Sequence, residues 1–314
     1  MTIDPQYVGH QLRTAGIRFD AGETVAFARQ LESIAARTYD VVYPDPKSFS
    51  LIPIAAGVES MAEFYTWRAF DRAGVAKRIV NFADDVPTVD IQGTENITPI
   101  ATYADGYQYT LFDMRRAQML NVDLDQKRAL AARDVLNRKI DRVAAFGDAE
   151  VNITGFVNNP NVPVVAPTTG NWATAADVQI LSDLYKMEQT IVTNSRGLEE
   201  PDTLVVPPST MGIIATKPAG VNLQDTVLDV FLRRSRFIRN VESWYQLETA
   251  NAAGTGPRIV AYKRDPTKLE LVLPLAFEQE PPQARNFAFV VNCLARCGGV
   301  VFYYPRSASY MDGI

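Results

Sequence analysis

The chain has 314 residues, enough for one large domain or two moderate ones. Hydrophobic residues make up 47% and charged residues 21%, the composition of a chain with a packed core, which excludes disorder as a global description. The net charge of -5, from 31 basic and 36 acidic side chains, speaks against a protein that grips nucleic acid through a broad basic face.

The N-terminus, Met1-Thr2-Ile3-Asp4-Pro5, lacks the basic and then apolar pattern of a signal peptide. No apolar run reaches the roughly 18–20 residues that span a bilayer. The expectation is a chain made and kept in the cytoplasm, with no membrane partner. Residues 1–20 are polar and mixed, and His10 among them, the only histidine, reads as a surface residue because a catalytic base needs a rigid neighbour. Ala21 to Arg37 predicts an amphipathic helix, with Val25, Phe27, Ala28, Leu31, Ile34 and Ala35 mostly three or four apart. Pro44, Pro46 and Pro53 then interrupt regular structure.

Residues 58–112 predict strands. Met61, Phe64, Tyr65, Trp67 and Phe70 alternate loosely with Glu63, Thr66, Arg68 and Asp71. A charged tip comes next, and then β-branched residues at Val86 to Ile91 and Ile97 to Tyr103, closed by Tyr107 and Tyr109. The whole reads as a long two-stranded excursion, which has little core of its own and needs a neighbour to cover it.

The best helix is Leu124 to Phe146, free of Gly and Pro. Asp123 is its expected N-cap with Gln126 three residues on. Ala132, Val135, Leu136, Ile140, Val143 and Ala144 form one stripe, Asp134 and Arg138 a supporting pair, and Gly147 the stop. At 1.5 Å per residue the rod is roughly 35 Å long, the length of a structural spine.

Residues 148–314 alternate short strands and helices. Gly155 to Val165 is a turn-rich approach to a strand. Thr174 is the expected N-cap of a helix to Asn194, Thr203 to Val206 a buried strand, and Pro207-Pro208 the lead into a helix bearing Met211, Ile213 and Ile214. Val227 to Phe231 predicts a short helix. The densest basic stretch of the chain, Arg233, Arg234, Arg236 and Arg239, comes directly after it, and implies at most weak, non-specific contact with DNA. Gly254 and Gly256 lie in a predicted hairpin loop. Arg258–Tyr262, Leu269–Leu275, Phe287–Leu294 and Gly299–Tyr304 predict strands, the last two divided near Gly298.

Motifs for chemistry are sparse. Cys293 and Cys297 are too few for a disulfide scaffold or a four-ligand zinc site and read as buried thiols. There is no GxxxxGK[ST] loop and no Gly-x-Ser-x-Gly elbow. Asp84-Asp85, Glu199-Glu200, Glu278 and Glu280 could serve a hydrolase only by converging in a cleft. The expectation is no catalytic residue, metal or cofactor.

The order of arm, β excursion, spine helix and mixed α/β region resembles the Hong Kong 97 capsid fold of tailed-phage major capsid proteins, an α+β fold shared with encapsulin shells. The likeness rests on Phe82-Ala83-Asp84-Asp85-Val86-Pro87 with Tyr107-Gln108-Tyr109, on Phe146-Gly147-Asp148-Ala149 with Ile153-Thr154-Gly155-Phe156-Val157-Asn158, on Asp202 to Pro208, and on Arg296 to Tyr304 with Pro305 to Ala308. The resemblance implies an N-terminal arm (1–57), an extended loop (58–112), a peripheral domain with the spine helix 124–146 (113–165), an axial domain (166–265), and return strands with the C-terminal segment (266–314). It implies an icosahedral phage head around double-stranded DNA, built from pentamers and hexamers of this chain. Scaffolding, portal and decoration proteins are further implied partners.

The loop of this family lies across a neighbouring subunit. Arg68, Asp71, Arg72, Lys77, Arg78, Asp84 and Asp85 are therefore the expected interface residues, setting register more than affinity. Lys77 is also the one lysine placed for a Lys–Asn cross-link, against simple salt bridges. The rival readings are an encapsulin shell with an enzyme cargo, a carboxylate-dependent hydrolase, and a tail or connector protein.

Overall fold

The computed structural model describes residues 44–73, 90–110, 112, 124–168, 170–220 and 225–314, with the backbone alone at 71–73, 90, 92 and 124–126. The chain divides into two units, Met1–Pro44 and Asp45–Ile314, and all the described helices and strands lie in the second. His10, the helix expected at 21–37 and the N-cap expected at Asp123 lie outside the described residues.

A short helix α1 (Ser48–Leu51) opens the unit and buries Leu51 and Ile52. Strands β1 (Phe64–Ala73) and β2 (Asp90–Pro99) pair antiparallel in continuous register from Phe64↔Pro99 to Ala73↔Asp90. Strand β3 (Ala101–Thr110) does not extend this ribbon, contrary to the sequence expectation. It pairs along its whole length with β11 (Ala288–Cys297). Pro99 ends the ribbon because it has no N–H to continue a ladder. Ile100 is buried, and Tyr103, Tyr107 and Tyr109 pack on the main core. The tyrosines found a body to cover, which a free ribbon lacks.

Helix α2 spans Leu124–Phe146, as its sequence predicts. Ala132, Leu136, Ile140, Val143 and Ala144 are buried. Val135 stays 42% exposed, because at about 100° per residue it sits on the flank of the stripe. Arg138 donates to the Asp134 backbone carbonyl at 3.2 Å. The last turn of α2 is capped by the chain immediately after it. Gly147 N–H donates to Val143 O, Phe156 N–H to Ala144 O, Val157 N–H to Ala145 O, and the Asn158 side-chain amide to Phe146 O at 2.5 Å. Four carbonyls that a helix end leaves unpaired thus find partners. Gly147 has φ +71°, and a Cβ there would overlap the Ile153 carbonyl oxygen. A Cβ on Gly155 would overlap Ala145 O.

A five-stranded sheet follows, in the order β4 (Val164–Val165), β13 (Ala308–Asp312), β7 (Arg258–Tyr262), β5 (Thr203–Val206), β6 (Asn240–Ser243). Leu204, Val206, Ile259, Ala261 and Met311 face one core, with α3 (Asp177–Asn194), α4 (Pro208–Thr216) and α5 (Val227–Arg234). Val205, Val260, Tyr262 and Tyr310 face the other, with α2. A sheet covered on both faces explains why these strands read as unbroken apolar runs.

Several boundaries differ from the sequence reading. α3 starts at Asp177, where the Gln179 side chain accepts from Ala176 N–H at 3.0 Å, while Thr174 closes the preceding turn on Asn171 O. The strand expected over 269–275 breaks at Pro274 into β8 (Leu269–Val272) and β9 (Leu275–Gln279). β10 (Gln283–Arg285), β12 (Gly299–Phe302) and the closing strand β13 complete the chain. The segment at Gly254 joins a 3-10 turn (Tyr245–Thr249) to β7, organised by Asn251 Oδ1 accepting from Thr255 N–H at 2.8 Å.

Replacing Gly147 by Ala should cost on the order of 3 kcal/mol, from a positive φ together with a backbone overlap. Chemical denaturation of the unassembled chain measures it. A loss below about 1 kcal/mol, the size of a simple Gly-to-Ala propensity effect, would disprove the close approach.

Candidate assembly surface

The β1–β2 ribbon has two unlike faces, since directly paired residues of an antiparallel ladder share a face. One face carries Tyr65 and Trp67. Near the ribbon's base these residues pack on β12, β8 and the chain around Ala55 and Ile100. The Trp67 ring meets Tyr303 edge-on at 5.2 Å. The Tyr303 hydroxyl donates to Glu270 Oε2 at 2.7 Å, and its oxygen lies 2.7 Å from the Tyr65 hydroxyl. Tyr303 has one proton and directs it to Glu270, so Tyr65 donates to Tyr303. Burial, reinforced by the hydrogen bonds to Glu270 and Tyr65, pushes the Tyr303 hydroxyl far above the usual tyrosine range and keeps it a donor. Buried Arg296 reaches under the same base, donating to Ser60 O at 2.6 Å and Thr102 Oγ1 at 3.1 Å.

The other face carries Phe64, Thr66, Arg68 and Phe70, opposite Pro99, Ile97, Glu95 and Gly93. Phe64 is 60%, Phe70 68% and Ile97 62% exposed. Phe70 lies over Gly93, where a Cβ would be 3.2 Å from the ring. Among the expected interface residues, Arg68 pairs with Glu95 of its own ribbon at 3.4 Å. Both side chains are at least half exposed, so the pair contributes little to stability. Asp71 and Arg72 stand opposite Gln92 and Ile91. Lys77, Arg78, Asp84 and Asp85 lie outside the described residues. Sequence reasoning passed over the apolar outer face and the Tyr65–Tyr303–Glu270 anchor. Its available signal was the mixing of Phe64 and Phe70 with Tyr65 and Trp67, which leaves aromatic side chains on both faces.

Of the carboxylates weighed for chemistry, Asp84 and Asp85 lie outside the described residues and Glu200 and Glu278 are exposed. Glu199 forms an ion pair with Lys268 at 2.5 Å, largely out of solvent. Cys293 and Cys297 are free thiols in the core. Among the described residues no group of three His, Cys, Asp or Glu side chains is placed to hold a metal, and no helix is long and apolar enough to cross a membrane.

The sequence profile of the family described as "Major capsid protein" matches residues 74–314. The chain belongs to the major capsid protein family. The match begins after β1 and takes in β2, α2 and most of the core residues. In fold the capsid protein is similar to "The capsid of Myoviridae Phage XM1", with a TM-score of 0.81 at 16% identity over 91% of this chain and 98% of that one. It is also similar to a chain of Mycobacterium phage Adephagia, with a TM-score of 0.65 at 10% identity over 94% and 98%. A virus-like particle from Pyrococcus furiosus shares the fold with a TM-score of 0.56 at 11% identity over 84% and 91%. No curated protein sequence matches it. The α+β architecture is thus that of phage capsids, and the protein is a capsid-forming, self-associating component of the virion.

In the capsid protein, Tyr303→Phe removes the donor to Glu270 and the acceptor for Tyr65. It should cost about 1–3 kcal/mol, with faster amide exchange at 64–67 and 97–100. Unchanged exchange there would show that the hydroxyls do not hold the ribbon. Burial pushes the Cys297 thiol up to about 11 and raises Cys293 as well. At pH 8 both stay protonated in the folded chain, so a disulfide reagent should titrate neither thiol before denaturant and both after it.

Proposed function

We propose that the capsid protein builds an icosahedral phage head around double-stranded DNA, with the ribbon of each copy lying across its neighbour. The outer ribbon face carries this reading. Three large apolar side chains, Phe64, Phe70 and Ile97, stand in water on a two-stranded element that, among the described residues, has no core beyond its base. Covering each would contribute about 1–2 kcal/mol. Summed over a closed lattice, modest interfaces of this kind are sufficient. Asp71, Arg72, Lys77, Arg78, Asp84 and Asp85 then set register by pairing with neighbouring copies.

In this reading residues 1–57 are the arm, 58–112 the extended loop, 113–165 and 266–314 the peripheral domain, and 166–265 the axial domain. The same chain occupies pentamers and hexamers, with the arm and loop as its adaptable parts. Scaffolding, portal and decoration proteins are its partners, and packaged DNA touches it only weakly. The role is structural rather than catalytic, in keeping with the capsid family to which the chain belongs. The rival shell, an encapsulin-like compartment with cargo, draws on the likeness to the virus-like particle. The phage-capsid match, with its TM-score of 0.81 against 0.56, favours the head.

Negative-stain electron microscopy of the chain, expressed alone and with its neighbouring genes, tests the proposal. Closed shells of phage-head diameter are expected, and persistent monomers under both conditions would defeat it. Phe64→Ser with Phe70→Ser should leave the monomer folded and reduce shell yield. Charge reversal at Arg72 or Arg78 should do likewise. Normal shells from both reversals would remove the charged tip from the interface while leaving the apolar face in place.

A further inference from the structure

The arginine-rich turn formed by the end of α5 and the chain just after it holds four guanidiniums in seven residues, Arg233, Arg234, Arg236 and Arg239, within a chain of net charge -5. Its backbone is fixed from below. Phe231 and Ile238 are fully buried. The carboxylate of Glu188, itself buried on α3, accepts from Ser235 Oγ at 2.9 Å and from Phe237 N–H at 3.2 Å. Ser235 Oγ in turn accepts from Ile238 N–H at 3.1 Å, and Arg239 N–H donates to the Asp202 carbonyl at 3.0 Å. Alternate residues are thus tied inward, and Arg234, Arg236 and Arg239 are left exposed on the outside.

The carboxylates nearby are already engaged. Asp225 holds Arg233 at 2.8 Å. Asp229 caps α5 through Thr226 at 2.7 Å. Glu188 is committed to the turn itself. Arg234, Arg236 and Arg239 have no ion pair among the described residues; Arg236 only overlies the Phe237 ring at 5.8 Å. Three cations are therefore presented from a fixed backbone, which lowers the ordering cost of engaging them.

We propose that this turn is a docking surface for the exposed carboxylates of a second copy of the chain. The inference rests on the shell reading and names a contact within it. Copies of an acidic protein repel one another, and a lattice of them needs local patches of opposite sign. A ring of copies about an axis joins unlike surfaces, so a basic ridge meets a different region of its neighbour. That neighbour carries the acidic excess, and Arg forks bind carboxylates in pairs of parallel hydrogen bonds. Nucleic acid is the weaker partner. Binding it needs a broad basic field, whereas here Asp225, Asp229 and Glu188 stand beside the arginines.

The test compares the full chain with Arg234→Glu/Arg236→Glu/Arg239→Glu and with the same three positions changed to Gln, all expressed under conditions in which the wild type forms shells. Thermal melts of the unassembled chains check folding, and the Gln variant serves if the Glu variant does not fold. Shell yield by sedimentation and microscopy should fall at least tenfold with the melt unchanged, and wild-type assembly should weaken as salt rises. Full shell yield from a folded variant overturns the inference. So does full yield with reduced nucleic-acid content, which would assign the turn to DNA instead. A wild type that forms no shells defeats the shell reading, and this contact falls with it.

Discussion

Helix α2 ends against the backbone that follows it, with one side chain, Asn158, completing the cap. The carbonyls of Val143, Ala144, Ala145 and Phe146 are taken by Gly147, Phe156, Val157 and Asn158. This is possible only because Gly147 and Gly155 carry no Cβ where the two stretches meet. The segment so fixed goes on to place Phe156, whose ring meets Tyr262 at 5.0 Å, Trp244 at 6.0 Å and Phe302 at 6.0 Å. Thr154 O also accepts from Val300 N–H at the start of β12. The helix, the five-stranded sheet and the strand that leads to Tyr303 are therefore positioned from one junction.

A second polar anchor works higher on the same helix. Buried Asp141 accepts from Ser48 N–H at 2.9 Å, from Trp244 Nε1 at 3.3 Å and from Gln246 Nε2 at 3.0 Å. It joins α1, α2 and the 3-10 turn before β7. A buried carboxylate left without these donors would be costly, so the three elements are held in one arrangement. Arg258 plays the corresponding part at the far end of the sheet, paired with Asp312 and bonded to the Val157 carbonyl. The body is rigid where it is buried, which suits a subunit that must repeat in a lattice. The contacts proposed for it lie on the ribbon and the arginine-rich turn, whose bases are held by the Tyr65–Tyr303–Glu270 hydrogen bonds and by Glu188.

Local pattern was informative where one residue type has one physical use. The stripe of α2, its stop at Gly147, the buried β5 and the proline lead into α4 all appear where the sequence places them. The Gly-Asp and Gly-Phe-Val-Asn stretches that carry the family likeness form the cap of α2, with Asn158 as its side-chain donor. Pattern failed where two outcomes share one signature. Alternating aromatics predict a strand at 101–110 and also at 64–73, but not that the first joins the body and the second projects from it. Val135 fits a helical stripe by spacing and lies outside it by angle.

From the sequence alone came the class of the protein, its long helix, its strand-rich loop and its acidic balance, because periodicity, glycine placement and charge are local quantities. Which strands pair, which face of the ribbon is anchored and which is bare, and which arginines lack a carboxylate were decided only by tertiary structure. Those properties depend on residues far apart in the chain. Tyr65 meets Tyr303 across 238 positions, and Glu188 fixes the turn that presents Arg234, Arg236 and Arg239 from 47 residues away. No window of sequence contains both partners, and their meeting is settled by how the two cores pack.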